Sequence, residues 1–139
     1  MIDIDNYGRS VAWMKRNLIA LEQSPEDKAL HYAVLQSFEV TFNLSEEVLR
    51  RAFIALETEE GAAYLSFREV IYRANDEGLV FTTIRHWLEY GSTLEAIKET
   101  FFESAALDIG VALRSLLTRY VEELERFTSA LKGKLVTRA

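Results

Sequence analysis

An all-α, up-and-down helical bundle of about five helices is the fold class this sequence predicts. Three observations point to it. The 139 residues contain a single proline. Apolar residues recur at spacings of three and four instead of alternating. The stretches between periodic segments are short and carry helix start and stop signals. The length fits one domain over residues 1–139, and a 49% hydrophobic, 27% charged composition is apolar enough to bury a core without a disulfide or metal staple.

The first helix is expected from about Asp5 to Gln23, where Tyr7, Val11, Met14, Leu18 and Leu21 share one face. Ser24-Pro25-Glu26-Asp27 then reads as a helix start, with serine at the cap, proline at the first helical position and an acid at the third. Leu30, Val34, Phe38, Thr41, Leu44, Val48, Ala52 and Leu56 carry the second helix to about Glu57, as one rod of roughly 50 Å or with a break at Asn43 or Ser45. Residues 58–65 connect, with Gly61 among them. Ser66-Phe67-Arg68-Glu69 is a capping box and Gly78 a stop, which marks a third helix over 67–77. Thr82 or Thr83 caps a fourth, over 83–90. Gly91-Ser92-Thr93 loosens the chain, and 94–101 is a continuation or a turn. A last helix is expected from about Ser104 to Leu131 with Leu107, Val111, Leu113, Leu117, Tyr120, Leu124, Phe127 and Leu131 inward and Gly133 as its end.

Several function classes are excluded at this level. There is no cysteine, hence no thiolate ligand or nucleophile. His31 and His86 lie in no HExxH or Glu-x-x-His arrangement, so no metal is expected, and no other cofactor. His31 reads as an exposed or half-buried helix residue. No GxGxxG, GxxxxGK[ST] or GxSxG occurs. MIDIDNYGRS has no signal-peptide pattern and no apolar run is long enough to cross a bilayer, so a cytoplasmic location is expected. A formal charge of −6 argues against an extended nucleic-acid surface, and Arg50, Arg51, Arg68 and Arg73 read as solvated helix faces.

Two groups of residues remain as candidates for binding. Arg85, His86, Trp87 and Tyr90 form the densest polar and aromatic cluster, able in principle to stack a nucleobase and hold its phosphate, although a core plug is the simpler role for Trp87. Glu95 and Glu99 are four apart, so a helix sets them on one face; with Lys98 beside them, a solvated face is simpler than an acid–base pair.

The stretches AVLQSFEVTFNLSEEVLRRAF (33–53) and SFREVIYRANDEGLV (66–80) resemble the nucleotidyltransferase substrate-binding proteins, a branch of the HEPN superfamily. The likeness rests on Gln36, Phe38, Glu39, Thr41 and Phe42, then on Ser66, Arg68, Glu69, Ile71, Ala74, Gly78 and Leu79, and covers roughly residues 10–130. It implies a dimerising helical bundle with a four-helix core that assembles with a small nucleotidyltransferase encoded nearby. Many HEPN relatives are also ribonucleases through an Arg-x4-His motif extended to a tyrosine. Aligned without a gap, that motif's arginine, asparagine, histidine and tyrosine fall here on Leu94, Glu95, Glu99 and Phe101. Leucine cannot bind a phosphate, glutamate repels one, and phenylalanine has no hydroxyl to accept a nucleotidyl group.

The resulting expectation is a non-catalytic subunit that dimerises and binds a minimal nucleotidyltransferase, with presentation of the enzyme's substrate as a further implied role. The partner surface is expected at the exposed side of the Trp87 segment and at 94–103, with Arg85, His86, Trp87, Tyr90, Glu95, Glu99 and Glu103 as binding residues for a partner or a nucleotide. Dimerisation is further expected because Phe38, Phe42, Phe53, Phe101, Phe102 and Phe127 exceed what a small monomer buries. The rival readings are a HEPN-type ribonuclease toxin acting through Arg85 and His86, and a dimeric scaffold without an enzyme partner.

Overall fold

The computed structural model describes residues 3–57, 65–104 and 108–138 and, within them, the side chains of all but 53–57, 102–104 and 135–138. The described residues form an all-α bundle of five helices: α1 (Ile4–Gln23), α2 (Lys28–Glu57), α3 (Phe67–Asp76), α4 (Ile84–Ser104) and α5 (Val111–Arg138). The expected connection through Gly61 and the side chains of Phe53, Leu56, Phe102, Glu103 and Leu107 lie outside the described residues.

Helix α1 starts where Asp3 accepts the Asn6 amide at 2.9 Å and ends where the Ser24 amide bonds back to Ala20 and Leu21. Ser24 therefore closes α1 and does not cap α2. The cap of α2 is Asp27, whose carbonyl accepts Leu30 N–H at 3.1 Å and whose carboxylate accepts Ala29 N–H at 3.0 Å. Helix α2 then runs unbroken through Asn43 and Ser45, with Ser45 Oγ donating to the Thr41 carbonyl at 2.7 Å.

Ser66 caps α3 by accepting Glu69 N–H at 3.2 Å and giving its own hydroxyl to the Glu69 carboxylate at 3.1 Å. The helix ends in a Schellman turn: Leu79 N–H donates to Ala74 at 2.8 Å and Gly78 N–H to Asn75 at 3.1 Å, with Gly78 at φ 72°. A Cβ at Gly78 meets nothing within 4 Å among the described residues, so the left-handed backbone sets the cost of Gly78→Ala. We expect that variant to lose about 1–2 kcal/mol in chemical denaturation.

Of the two readings of 94–101 the continuation holds, since helix α4 passes straight through Gly91-Ser92-Thr93; the start of the last helix is corrected. Gly91 is there for approach, since a Cβ on it would lie 3.2 Å from Phe42 Cζ on α2. Helix α5 begins at Val111, not near Ser104, which is the last residue of α4, and it continues past Gly133. Asp108-Ile109-Gly110 breaks the chain because Ile109 is fully buried and gives its amide to His31 Nδ1 at 2.9 Å. Val111, expected inward, is 71% exposed as a result. His31 is likewise corrected: it is buried, and its Nε2 lies 2.6 Å from the Pro25 carbonyl. With Nδ1 accepting, Nε2 donates, and one neutral imidazole ties the α1–α2 turn to the entry of α5.

Side-chain pairs fix the packing. Tyr7 with Ser45, Ser10 with Thr41 and Asn17 with Ser37 run α1 antiparallel to α2. Lys15 with Glu125 and Tyr7 with Phe127 run α5 antiparallel to α1. Phe42 beneath Gly91 and Glu39 on Lys98 run α4 antiparallel to α2. The core between them holds Met14, Leu21, Val34, Phe38, Leu49, Trp87, Leu117, Tyr120, Leu124 and Phe127. Ser10 and Thr41 bond each other inside the core, Ser45 bonds Tyr7 and the Thr41 carbonyl, and these pairs set the register of α1 on α2.

Candidate interaction site

The residues singled out in the sequence gather on α4, and the period of the helix sorts them onto two faces. Trp87, Tyr90, Leu94 and Ile97 point inward. Arg85, His86, Leu88, Glu89, Ser92, Glu95 and Glu99 are exposed. Glu103 continues α4, and its side chain is outside the described ones.

The inward face meets Tyr120 of α5. Its ring lies 4.6 Å from Tyr90 and 5.7 Å from Trp87, and Trp87 stands edge-on to Tyr90 at 5.9 Å. Phe38 and Phe42 of α2 complete the cluster at 5.6 and 6.2 Å from Tyr120. A stacking platform for a nucleobase needs an accessible ring face, and Trp87 and Tyr90 are 1% and 3% exposed, so these two rings are core. The core role that Trp87 suggested is the one it occupies. Its Nε1 and the hydroxyl of Thr82 are buried without a hydrogen-bond partner among the described residues.

A chain of hydroxyls runs behind the rings. Tyr7 bonds Ser45 at 2.6 Å, and Ser45 lies 3.2 Å from the Tyr120 hydroxyl. Burial pushes the Tyr7, Tyr90 and Tyr120 hydroxyls above the ordinary tyrosine range, and the carboxylate of Glu123 adds to it. Glu123 escaped notice in the sequence. It is buried, and one of its oxygens accepts the Phe81 and Thr82 amides at 2.7 and 3.2 Å, which pins the turn that leads into α4. An acid at an inward position of an apolar helix is the signal that could have found it.

The outward face is polar and shallow. Thr83 caps α4 by accepting the His86 and Trp87 amides, and its hydroxyl bonds His86 Nδ1 at 3.1 Å. His86 therefore serves the helix end. Adjacent positions on a helix diverge by about 100°, so Arg85 and His86 do not converge on one phosphate. Lys98 reaches Glu39 on α2 at 2.9 Å and Glu95 at 3.8 Å. The hydrogen bond and charge of Glu39 hold the Lys98 ammonium above the ordinary lysine range. Arg85 and Glu99 make no ion pair among the described residues. No three potential metal ligands converge among those residues either.

A family model described as nucleotidyltransferase substrate binding protein like matches residues 2–133. The chain belongs to this family. No curated protein and no solved structure matches it significantly. The residues that carried the resemblance to nucleotidyltransferase substrate-binding proteins now have structural roles: Phe38, Thr41, Ile71, Ala74 and Leu79 are buried, Glu39 pairs with Lys98, Phe42 seats Gly91, and Gly78 turns the chain. Of the positions aligned with the ribonuclease motif, Leu94 is buried, Glu95 and Glu99 are exposed, and Phe101 lies against Tyr32 at 5.5 Å. Among the described residues no helix is long and apolar enough to cross a membrane.

Proposed function

We propose that this chain is a non-catalytic helical subunit that self-associates and docks a minimal nucleotidyltransferase, holding that enzyme's substrate within its reach. The observation that carries this is the family match over residues 2–133, whose description names a substrate-binding role. The motif helix supports it: a buried leucine, two solvated glutamates and a packed phenylalanine offer no phosphate ligand, no proton-transfer imidazole and no acceptor hydroxyl. Glu95, Glu99 and Glu103 give α4 a negative field that favours a basic protein partner and disfavours RNA. Arg85 and His86 stand at the other end of the same helix, while Trp87 and Tyr90 hold it from behind.

The test is co-expression with the small nucleotidyltransferase of a neighbouring reading frame, followed by co-elution, with an RNA-cleavage assay on the purified chain alongside. Co-elution with intact RNA is the expected outcome. RNA cleavage that disappears in Arg85→Ala/His86→Ala would instead favour the ribonuclease reading.

A further inference from the structure

Two adjacent residues near the start of α2 hold both sides of the joint between α4 and α5. Tyr32 leans on Phe101, close to the end of α4, with 5.5 Å between the ring centroids. His31 accepts the amide of Ile109, just before α5, on Nδ1 at 2.9 Å. Both partners of this bond are out of water, since His31 is 4% exposed and Ile109 fully buried. The Ile109 carbonyl is held separately, by Arg114 Nη1 at 3.2 Å. The imidazole is therefore the acceptor on which the buried Ile109 amide depends, and a buried amide without an acceptor is costly.

The other ring nitrogen fixes the protonation state. Nε2 lies 2.6 Å from the Pro25 carbonyl, which can only accept. A carbonyl at Nε2 and an N–H at Nδ1 are both satisfied by one form of the ring, the neutral one with its hydrogen on Nε2. A second proton has to enter at Nδ1, where it takes the lone pair that Ile109 uses and sets two donors against each other. No carboxylate pairs with the ring among the described residues. On α1 and the turn, Glu22, Glu26 and Asp27 are exposed, and Asp27 accepts the Ala29 amide. Lys28, which opens α2, is exposed as well. On the α5 side Asp108 is exposed and Arg114 is the residue on the Ile109 carbonyl. From α4, Lys98 is engaged by Glu39, and Glu99 is exposed.

We infer that His31 is an acid-released latch on the α4–α5 joint: neutral, it holds Ile109 against the start of α2, and a proton on Nδ1 frees residues 108–110 while the bundle stays folded. Imidazole is suited to this because its ordinary change of charge falls between about pH 5 and 8. The release acts at the C-terminal end of α4, independently of any partner docked there.

Amide hydrogen exchange and imidazole nitrogen shifts, both read by NMR on the full chain, decide it. At about pH 7.5 the shifts are expected to show a neutral ring with its hydrogen on Nε2, and the Ile109 amide to be protected. At about pH 5.5 the Ile109 protection factor, corrected for the intrinsic pH dependence of exchange, is expected to fall at least tenfold, while those of Val34 and Leu117 in the core hold. Two variants separate the two bonds. His31→Asn puts a carbonyl oxygen near the place of Nδ1 and does not titrate, so Ile109 is expected to be protected alike at both pH values. His31→Gln puts an amide near the place of Nε2 and leaves Ile109 without an acceptor, so low protection is expected at both. A wild-type ring that stays neutral at about pH 5.5, or an Ile109 amide that keeps its protection once Nδ1 carries a proton, overturns the latch. A fall in protection that persists unchanged in His31→Asn overturns it too, because another group would then be responsible. Should either variant fail to fold, the wild-type shifts and protection factors decide it alone.

Discussion

Replacing Tyr120 by alanine lowers the free energy of unfolding by about 3–5 kcal/mol, a large share of the roughly 5–15 kcal/mol that stabilises a domain of this size. Four aromatic rings lean on this one side chain, Phe38, Phe42, Trp87 and Tyr90, at centroid distances from 4.6 to 6.2 Å. They come from α2 and α4, while Tyr120 stands on α5, so the cavity opens where three helices meet. The expected melting temperature falls by roughly 10–20 °C. Tyr120→Phe keeps the rings and loses only the 3.2 Å contact to Ser45, whose hydroxyl retains Tyr7 and the Thr41 carbonyl. Its expected loss is about 1 kcal/mol. Thermal and urea unfolding of the two variants give the difference, and an alanine variant within 1 kcal/mol of wild type would mean that the rings do not bear on one another.

Alkaline pH unfolds the bundle before it unfolds a variant lacking the buried phenols. In the unfolded chain Tyr7 and Tyr120 ionise near the ordinary value of about 10. In the folded chain burial raises both, so each stays protonated where its unfolded counterpart does not. The sign follows: the stability is fully present below pH 10 and drains as pH rises above it, by up to about 1.4 kcal/mol per pH unit for each tyrosine. At pH 11.5 the two together withdraw roughly 4 kcal/mol. Lys98 acts in the same direction, because its pKa too is raised by Glu39 and its neutralisation breaks that pair. Urea midpoints between pH 8 and 11.5 measure the slope. Tyr7→Phe and Tyr120→Phe should each remove about half of the tyrosine part, and a flat wild-type profile would show that the phenols ionise freely in the fold.

Most of the architecture was legible because period and capping are local. Met14, Leu18, Phe38, Val48, Leu117 and Leu124 sit inward where the spacing put them, and Ser66, Thr83 and Gly78 mark helix ends. The errors occur where a distant residue decides. Gly91 reads as a break until Phe42 is seen beneath it, and Val111 reads as core until Ile109 is seen spending its amide on His31. Ser24 has the chemistry of a cap, but its own amide is taken by α1. The outer face of α4 was visible as a set of residues, whereas its relation to α2 needed the pairing of Lys98 with Glu39. Trp87 takes the core role that was its simpler reading, and Tyr90 joins it there, though sequence alone does not tell a displayed ring from a buried one.

Titration calorimetry between this chain and a purified minimal nucleotidyltransferase, the partner proposed above, tests the central claim most directly. Saturable binding with equal numbers of the two chains is expected, tighter at low than at moderate salt because the exposed carboxylates of α4 attract a basic partner. The absence of any binding heat at either salt and at two temperatures, with both proteins folded by circular dichroism, would contradict a role as that enzyme's substrate-binding subunit.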